Sequence, residues 1–120
     1  MKIAFASIEN NLDSNLSPIM GRSNYFIIIE LKNGKSGNTS IIENTAKNSK
    51  GAGNIATKLI IEQGVNVLIS GAMGPVAFHL LKNAGVKVYK SSPRNVKINL
   101  KLFNEGELEE ITSLSNGFPK

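Results

Sequence analysis

A chain of 120 residues, 41% hydrophobic and 19% charged, has the size and composition of a single globular domain. It contains no cysteine, which excludes disulfides and thiolate ligation of zinc or of an iron–sulfur cluster by this chain. The net charge of +5 favours anions, but the basic residues are scattered and only 6% of residues are aromatic, which argues against an RNA-binding surface. No apolar run has the length of a signal-peptide core or a membrane span, so we expect a cytoplasmic protein with neither nucleic acid nor membrane as a partner.

The first third of the chain has the composition of strands. Residues 2–7 form a short apolar run that predicts a buried strand, and residues 24–32 are rich in aromatic and β-branched side chains. Asn33 and Gly34 are typical of a tight hairpin turn. The following segment, residues 36–43, is polar and contains a glycine, so we expect a weaker strand at the edge of the sheet.

The period becomes helical from Gly51 onward. The predicted apolar face of this helix consists of Ile55, Ala56, Leu59 and Ile60. Residues 65–69 then form the continuous apolar run of a buried strand, and Pro75 suits the first turn of a second helix. Residues 86–89 predict a fifth strand.

The last helix is expected to begin at Ser92 and Pro93, as N-cap and first helical residue. The order β-β-β-α-β-α-β-α predicts an α/β fold with a five-stranded mixed sheet flanked by helices. Its second strand should be antiparallel to the first and third, and the later crossovers should join parallel strands. We expect one domain over residues 1–108 and a loosely ordered polar tail over residues 109–120.

Three glycine-centred loops are the candidate functional feature. They read S-P-I-M-G-R-S-N-Y-F at residues 17–26, K-G-A-G at 50–53 and S-G-A-M-G-P at 70–75. Glycine allows the backbone to approach a ligand closely, and the latter two loops lead into helix N-termini, which favour anions. This pattern indicates a binding protein more than a catalyst.

These loops, followed by V-A-F-H-L-L-K-N-A-G-V-K-V-Y, closely resemble the dinitrogenase iron-molybdenum cofactor-binding family, the NifX-like proteins. The resemblance covers residues 1–108. It implies a ribonuclease-H-like three-layer fold and a non-catalytic role in binding or carrying an iron–sulfur or iron–molybdenum-type cluster or its precursor, with a protein partner in cofactor assembly.

The chain departs from many relatives at the side chains best able to bind iron. Ile19 and Met20 stand where relatives have a histidine in S-P-H-F-G-R, Ser23 replaces a cysteine of some relatives, and Lys50 replaces a histidine before G-A-G. Only the weak thioether of Met20 remains as a direct ligand. Capture of an anionic cluster would therefore depend on Arg22, Lys50 and backbone N–H groups.

The candidate cofactor-binding residues share these three loops. They are Met20, Gly21, Arg22, Ser23, Lys50, Gly51, Gly53, Gly71 and Gly74. Each loop also has a purely structural interpretation: a turn whose arginine pairs with Glu9 or Asp13, a flexible helix entry, and a tight strand-to-helix turn.

No other constellation predicts catalysis. The single histidine, His79, lies mid-helix with no second ligand near it in sequence, so we expect a surface residue. The serines lack a histidine relay, the carboxylates do not form the cluster of a metal-dependent nuclease, and an enzyme acting on a phosphorylated metabolite would need an acid–base group that we do not find. Two hypotheses remain: a carrier of a metal–sulfur cofactor, or a regulatory interaction module that has lost metal binding.

Overall fold

The computed structural model describes residues 1–113, in which six strands and three helices surround two hydrophobic clusters. In chain order the elements are β1 (Lys2–Ser7), β2 (Tyr25–Lys32), β3 (Lys35–Glu43), α1 (Ala52–Glu62), β4 (Val67–Ser70), α2 (Pro75–Asn83), β5 (Lys87–Lys90), α3 (Val96–Asn104) and β6 (Glu110–Ile111). A single 3₁₀ turn, Met20–Arg22, lies between β1 and β2.

All strands belong to one mixed sheet with the order β3-β2-β1-β4-β5-β6. As predicted, β2 is antiparallel to β1 and β3, whereas β1, β4 and β5 are parallel. The hairpin between β2 and β3 turns at Asn33 and Gly34, whose φ angles of 53° and 77° match its N-G signature. The α/β class is therefore confirmed, and β3 lies at one edge of the sheet as expected.

The expected number of strands was wrong: the sheet has six, not five. The additional strand, β6, pairs antiparallel with β5 and places Ile111 opposite Val88. Ile111 is only 3% exposed, and its side chain packs into the core at this edge of the sheet. A two-residue strand within the polar segment 109–120 has no periodicity to reveal it. Residues 114–120, where most of the expected loose tail falls, lie outside the described residues.

The predicted start of the last helix was also wrong. Its N-cap is Asn95, whose Oδ1 accepts a hydrogen bond from the Ile98 N–H at 2.8 Å. The segment that contains Ser92 is instead a loop, held by Asn99 Nδ2, which donates to the carbonyls of Ser92 and Arg94. Several good capping residues follow one another here, and the buried Asn99 decides between them because it needs the loop as its partner.

The helices cover both faces of the sheet and make three layers. On one face, α1 and α2 bury residues such as Ala56, Ile60 and Phe78 against β1, β2 and β4. On the other face, Val96 of α3 packs on residues of β1, β2 and β4. The predicted apolar face of α1 was wrong at one residue, because Ile55 is exposed. No helix within residues 1–113 is long and apolar enough to cross a bilayer.

Candidate functional site

The three glycine-centred loops meet at one depression, beyond the carboxyl ends of β1 and β4 and beside the N-termini of α1 and α2. The depression has a volume of about 130 Å³. Its lining consists of Ile19, Met20, Gly21 and Arg22 from the first loop, Ala52 and Gly53 from the start of α1, and Met73, Gly74 and Ala77 from the third loop and α2. The separate turns therefore open onto a shared surface.

The first and third loops are joined by a short parallel bridge. The Ala72 N–H donates to the Pro18 carbonyl at 2.8 Å, and the Met20 N–H donates to the Ala72 carbonyl at 2.9 Å. Gly71 permits this approach, because a Cβ there would lie 2.4 Å from the Pro18 oxygen. Gly71 is thus required by backbone packing, and it lines a neighbouring cavity of about 380 Å³ instead of the depression.

The first loop also packs directly on the start of α1. A Cβ on the buried Gly21 would lie 2.8 Å from the Cα of Gly53, so only glycine allows the 3₁₀ turn to approach this closely. Gly51 precedes the helix with φ of 75°, a left-handed conformation that glycine adopts without strain. Structural demands thus explain Gly21 and Gly51 without a ligand.

Gly53 and Gly74 have no comparable structural requirement. A Cβ at either position would meet no atom within 4 Å, and neither residue has a positive φ. Both line the depression. The fold therefore tolerates side chains at both positions. Because neither residue has one, the main chain there is accessible from the depression.

The helix ends at the depression are open. Neither Gly51 nor Gly74, the N-caps of α1 and α2, has a side chain to cap its helix, and no acidic residue occupies either first turn. Within residues 1–113, the N–H groups of Gly53, Val76 and Ala77 donate to no protein acceptor. Such groups carry the positive end of the helix dipole, which makes the depression an environment for an anion.

Arg22 supplies the cationic side chain at the depression. It is exposed, and its Nη1 donates to the Lys47 carbonyl, which ties it to the loop before α1. The structural alternative, in which Arg22 pairs with Glu9 or Asp13, does not occur. The one ion pair within residues 1–113 joins Lys97 to Asp13 at 3.1 Å. The guanidinium keeps donors that could reach an anion.

The other predicted residues lie around or beneath the depression. Met20 lines its floor but is 0% exposed and packs in the core, so its thioether faces protein. The buried Ser23 donates its hydroxyl proton to the Met20 carbonyl at 2.7 Å and does not line the depression. Lys50 is exposed just before α1 and likewise lies outside the lining. The structure brings together five predicted residues: Met20, Gly21, Arg22, Gly53 and Gly74.

Sequence reasoning missed a residue that positions the first loop, Asn44. It is buried, and its Nδ2 donates to the carbonyls of Gly21 and Ser23 at 3.1 and 2.8 Å, while its Oδ1 accepts from the Ala46 N–H. It also missed Ile19, Ala52, Met73 and Ala77 in the lining. A lone asparagine in a polar loop carries no signal of burial, since asparagine is common in loops for its turn chemistry.

The donor set suits an anion held without direct metal ligation. Residues 1–113 contain no group of three or more His, Cys, Asp or Glu placed to hold a metal ion, and His79 is an exposed residue whose ring meets Phe78 edge-on, 6.0 Å between centroids.

Comparison with known proteins shows which family the chain matches. Residues 1–106 match the family described as dinitrogenase iron-molybdenum cofactor. The chain is 40% identical, over 113 residues, to an uncharacterized protein of Methanocaldococcus jannaschii, with 92% of this chain and 96% of that protein covered.

Two solved structures share the whole fold. A Thermotoga protein of the DUF35 family, described as a candidate NifB, is 37% identical with a TM-score of 0.80, covering 93% of this chain and 94% of that one. The apo form of the orange protein from Desulfovibrio gigas is 27% identical with a TM-score of 0.83, covering 93% of each chain. The chain therefore belongs to the dinitrogenase iron–molybdenum cofactor family.

Proposed function

We propose that this protein is a non-enzymatic carrier that binds an anionic metal–sulfur cluster, of the iron–molybdenum-cofactor type or a precursor of it, at the depression. The cluster is cargo that the protein receives and passes to an assembly partner. Family membership supports the class of ligand. The ribonuclease-H-like classification belongs to the same proposal and is supported by the three-layer order of helices and sheet.

The observation that carries the proposal is the pair of bare glycines, Gly53 and Gly74. Both line the depression, and neither is glycine for a reason of packing or φ. They stand at the open ends of two helices, where free N–H groups can donate to cluster sulfides. Arg22 then adds a charged donor, Gly21 and Met20 shape the floor, and Lys50 raises the local positive potential.

Holding by hydrogen bonds and charge has consequences for affinity. With no cysteine in the chain, no thiolate replaces a ligand of the incoming cluster. Affinity should then be moderate and should fall as salt screens the exposed charges. Such binding suits a carrier, because the cluster can leave without breaking a metal–protein bond.

An anaerobic titration with a synthetic anionic iron–sulfur cubane capped by small thiolates, followed by visible absorption after gel filtration, tests the proposal. We expect the cluster absorption to elute with the wild-type protein and Arg22→Ala to weaken binding about tenfold, the loss of one charge-assisted contact. Arg94→Ala is the matched control, since Arg94 is also exposed but lies outside the depression. Equal loss in both variants, or no uptake by the wild type, contradicts the proposal.

The second candidate is an interaction module that keeps the fold without the cluster. It is favoured by the composition of the site, where Ile19, Met20, Ser23 and Lys50 supply neither imidazole nor thiolate. In that case a pull-down with the wild-type chain should recover a protein partner. Neither Arg22→Ala nor Lys50→Ala should change the outcome of the pull-down or of the cluster titration.

A further inference from the structure

The cavity that Gly71 lines is separate from the depression, because the two share no lining residue. Three segments form it: residues 16–18 of the first loop, Gly71 and Ala72 after β4, and residues 90–93 at the end of β5. Its volume of about 380 Å³ falls in the range of about 300–1,000 Å³ that is usual for small-molecule pockets. This β4–β5 cavity is therefore a second concave site, which the proposed function does not use.

The chain leaves β4 and β5 toward opposite faces of the sheet. The two strands are parallel neighbours. The helix after β4, α2, packs Phe78 into the core cluster on one face, whereas the helix after β5, α3, packs Val96 into the cluster on the other face. Where parallel neighbours diverge in this way, a crevice opens beyond their carboxyl ends, and α/β proteins bind ligands in such crevices. The β4–β5 cavity lies in this crevice.

Part of the lining of the β4–β5 cavity is apolar. The apolar side chains are those of Leu16, Pro18, Ala72 and Pro93. Leu16 is buried and belongs to the core cluster on the α3 face, so the apolar lining is continuous with the core. None of these side chains has a hydrogen-bond donor or acceptor, and contact with hydrocarbon is what removes their surface from water. A ligand that fits this part of the lining has an aliphatic body.

The polar part of the lining supplies donors and one positive charge. The Lys90 ammonium and the hydroxyls of Ser91 and Ser92 make no hydrogen bond or ion pair with protein groups of the described chain. The hydroxyl of Ser17, in contrast, already donates to the Ile19 carbonyl at 2.8 Å. No acidic residue of the described chain lines the cavity, so the charge of the ammonium is uncompensated there. An ammonium beside two hydroxyl donors suits the two acceptor oxygens of a carboxylate.

We propose that the β4–β5 cavity binds a small organic carboxylate, whose charged group meets Lys90 and the two serines and whose aliphatic body meets the apolar lining. A phosphate group fits less well, because Asn95 caps the N-terminus of α3 with its own side chain and no arginine lines the cavity. The donors that remain match a single negative charge. The inference is independent of the proposed function, since the two sites share no residue.

A titration of the ¹⁵N-labelled protein with sodium hexanoate at constant ionic strength, followed by amide chemical shifts, tests the inference. We expect saturable shifts at Gly71, Ala72, Ser91 and Ser92, with a dissociation constant of about 1 mM, as is ordinary for so small a ligand. 1-Hexanol has the same aliphatic body without the carboxylate. We expect it to bind at least about tenfold more weakly than hexanoate.

A matched pair of lysine variants separates the recognition of the carboxylate from general attraction to a basic protein. Lys90→Ala should weaken hexanoate binding about tenfold, the loss of one charge-assisted contact. Lys87→Ala is the control, because Lys87 is also exposed and on β5 but lies outside the lining, at the other end of the strand. It should leave the dissociation constant unchanged.

Every other outcome overturns the inference. Shifts centred on Gly53 and Gly74 would place the anion in the depression, against the inference but in keeping with the proposed function. Shifts that do not saturate would show that the cavity does not bind the carboxylate. Equal affinity for hexanol and hexanoate, or equal losses in Lys87→Ala and Lys90→Ala, would remove the carboxylate from the recognition.

Discussion

The N-terminus of α3 differs from those of α1 and α2 in how its free N–H groups are satisfied. At α3, Asn95 caps the helix with its own side chain and the buried Asn99 secures the loop before it. At α1 and α2, glycines precede the first turn and no side chain caps either helix. At the N-terminus of α3, protein groups accept the hydrogen bonds of the first N–H groups of the helix. Within residues 1–113, the N-termini of α1 and α2 leave the N–H groups of Gly53, Val76 and Ala77 without a protein acceptor, and both helices begin at loops of the candidate site.

Under the proposed function, the open helix ends serve binding, whereas the capped end of α3 serves stability. Asn95 shows that the chain can provide a cap where only structure is at stake, and such a cap contributes about 1 kcal/mol. Gly74 has φ of −78° and ψ of 169°, the extended conformation in which asparagine, aspartate or serine would cap well. The open end of α2 therefore gives up stability that a capping side chain would provide, whereas the left-handed Gly51 leaves no such choice at α1.

The largest expected effect comes from separating the first loop from the open end of α1. Gly21→Ala places a methyl group 2.8 Å from the Cα of Gly53, which the backbone must move to accommodate. We expect the free energy of unfolding to fall by about 1–3 kcal/mol, as in overpacked cores, and cluster binding to fall with it. Urea unfolding measures the first effect. A variant as stable as the wild type would show that the two loops are not in close contact.

Closing an open end is the next largest effect. Gly74→Asp introduces a capping carboxylate at α2, so we expect stability to rise by a few tenths of a kcal/mol and cluster binding to weaken at least about tenfold, because the carboxylate occupies the place of the anion. The visible-absorption titration measures binding. Gly74→Asn is the matched neutral variant and should lose less affinity; unchanged binding in both would mean that the end of α2 does not contact the cluster.

Removing the closed cap should have the opposite profile. Asn95→Ala leaves the first turn of α3 without its acceptor, and we expect a loss of about 1 kcal/mol of stability with cluster affinity unchanged. Thermal unfolding and the titration together check this pair of results. A large loss of affinity would contradict the separation of α3 from the site.

The smallest expected effect is at Gly53. Gly53→Ala meets no neighbouring atom and improves helix propensity, so we expect a gain of about 0.5 kcal/mol in stability. Cluster affinity should decrease a few-fold, because the methyl group stands at the lining of the depression. If the variant binds as well as the wild type and is more stable, Gly53 has no contact with the ligand.

Much of the local structure could be predicted because local chemistry specifies it. Asn33 and Gly34 define their hairpin through positive φ angles, and the apolar segments of β1, β2 and β4 are buried as their composition predicts. The buried face of α1 was harder to predict. Ile55 has helical spacing with the core residues but is exposed, whereas Thr57 is buried and donates its hydroxyl proton to the Gly53 carbonyl at 2.7 Å. Which face of a short helix is buried depends on its neighbours.

By itself, the sequence determined the α/β order of elements, the edge position of β3 and the presence of three glycine-centred loops, because hydrophobic period and turn residues act over a few positions. Only the tertiary structure decided which glycines those loops need for packing and which stay bare. Gly21 meets Gly53 across the 3₁₀ turn, and Gly71 meets Pro18, whereas nothing stands over Gly53 or Gly74. The physical reason is distance: contacts between segments far apart in the chain leave no pattern within either segment, and those contacts shape the depression.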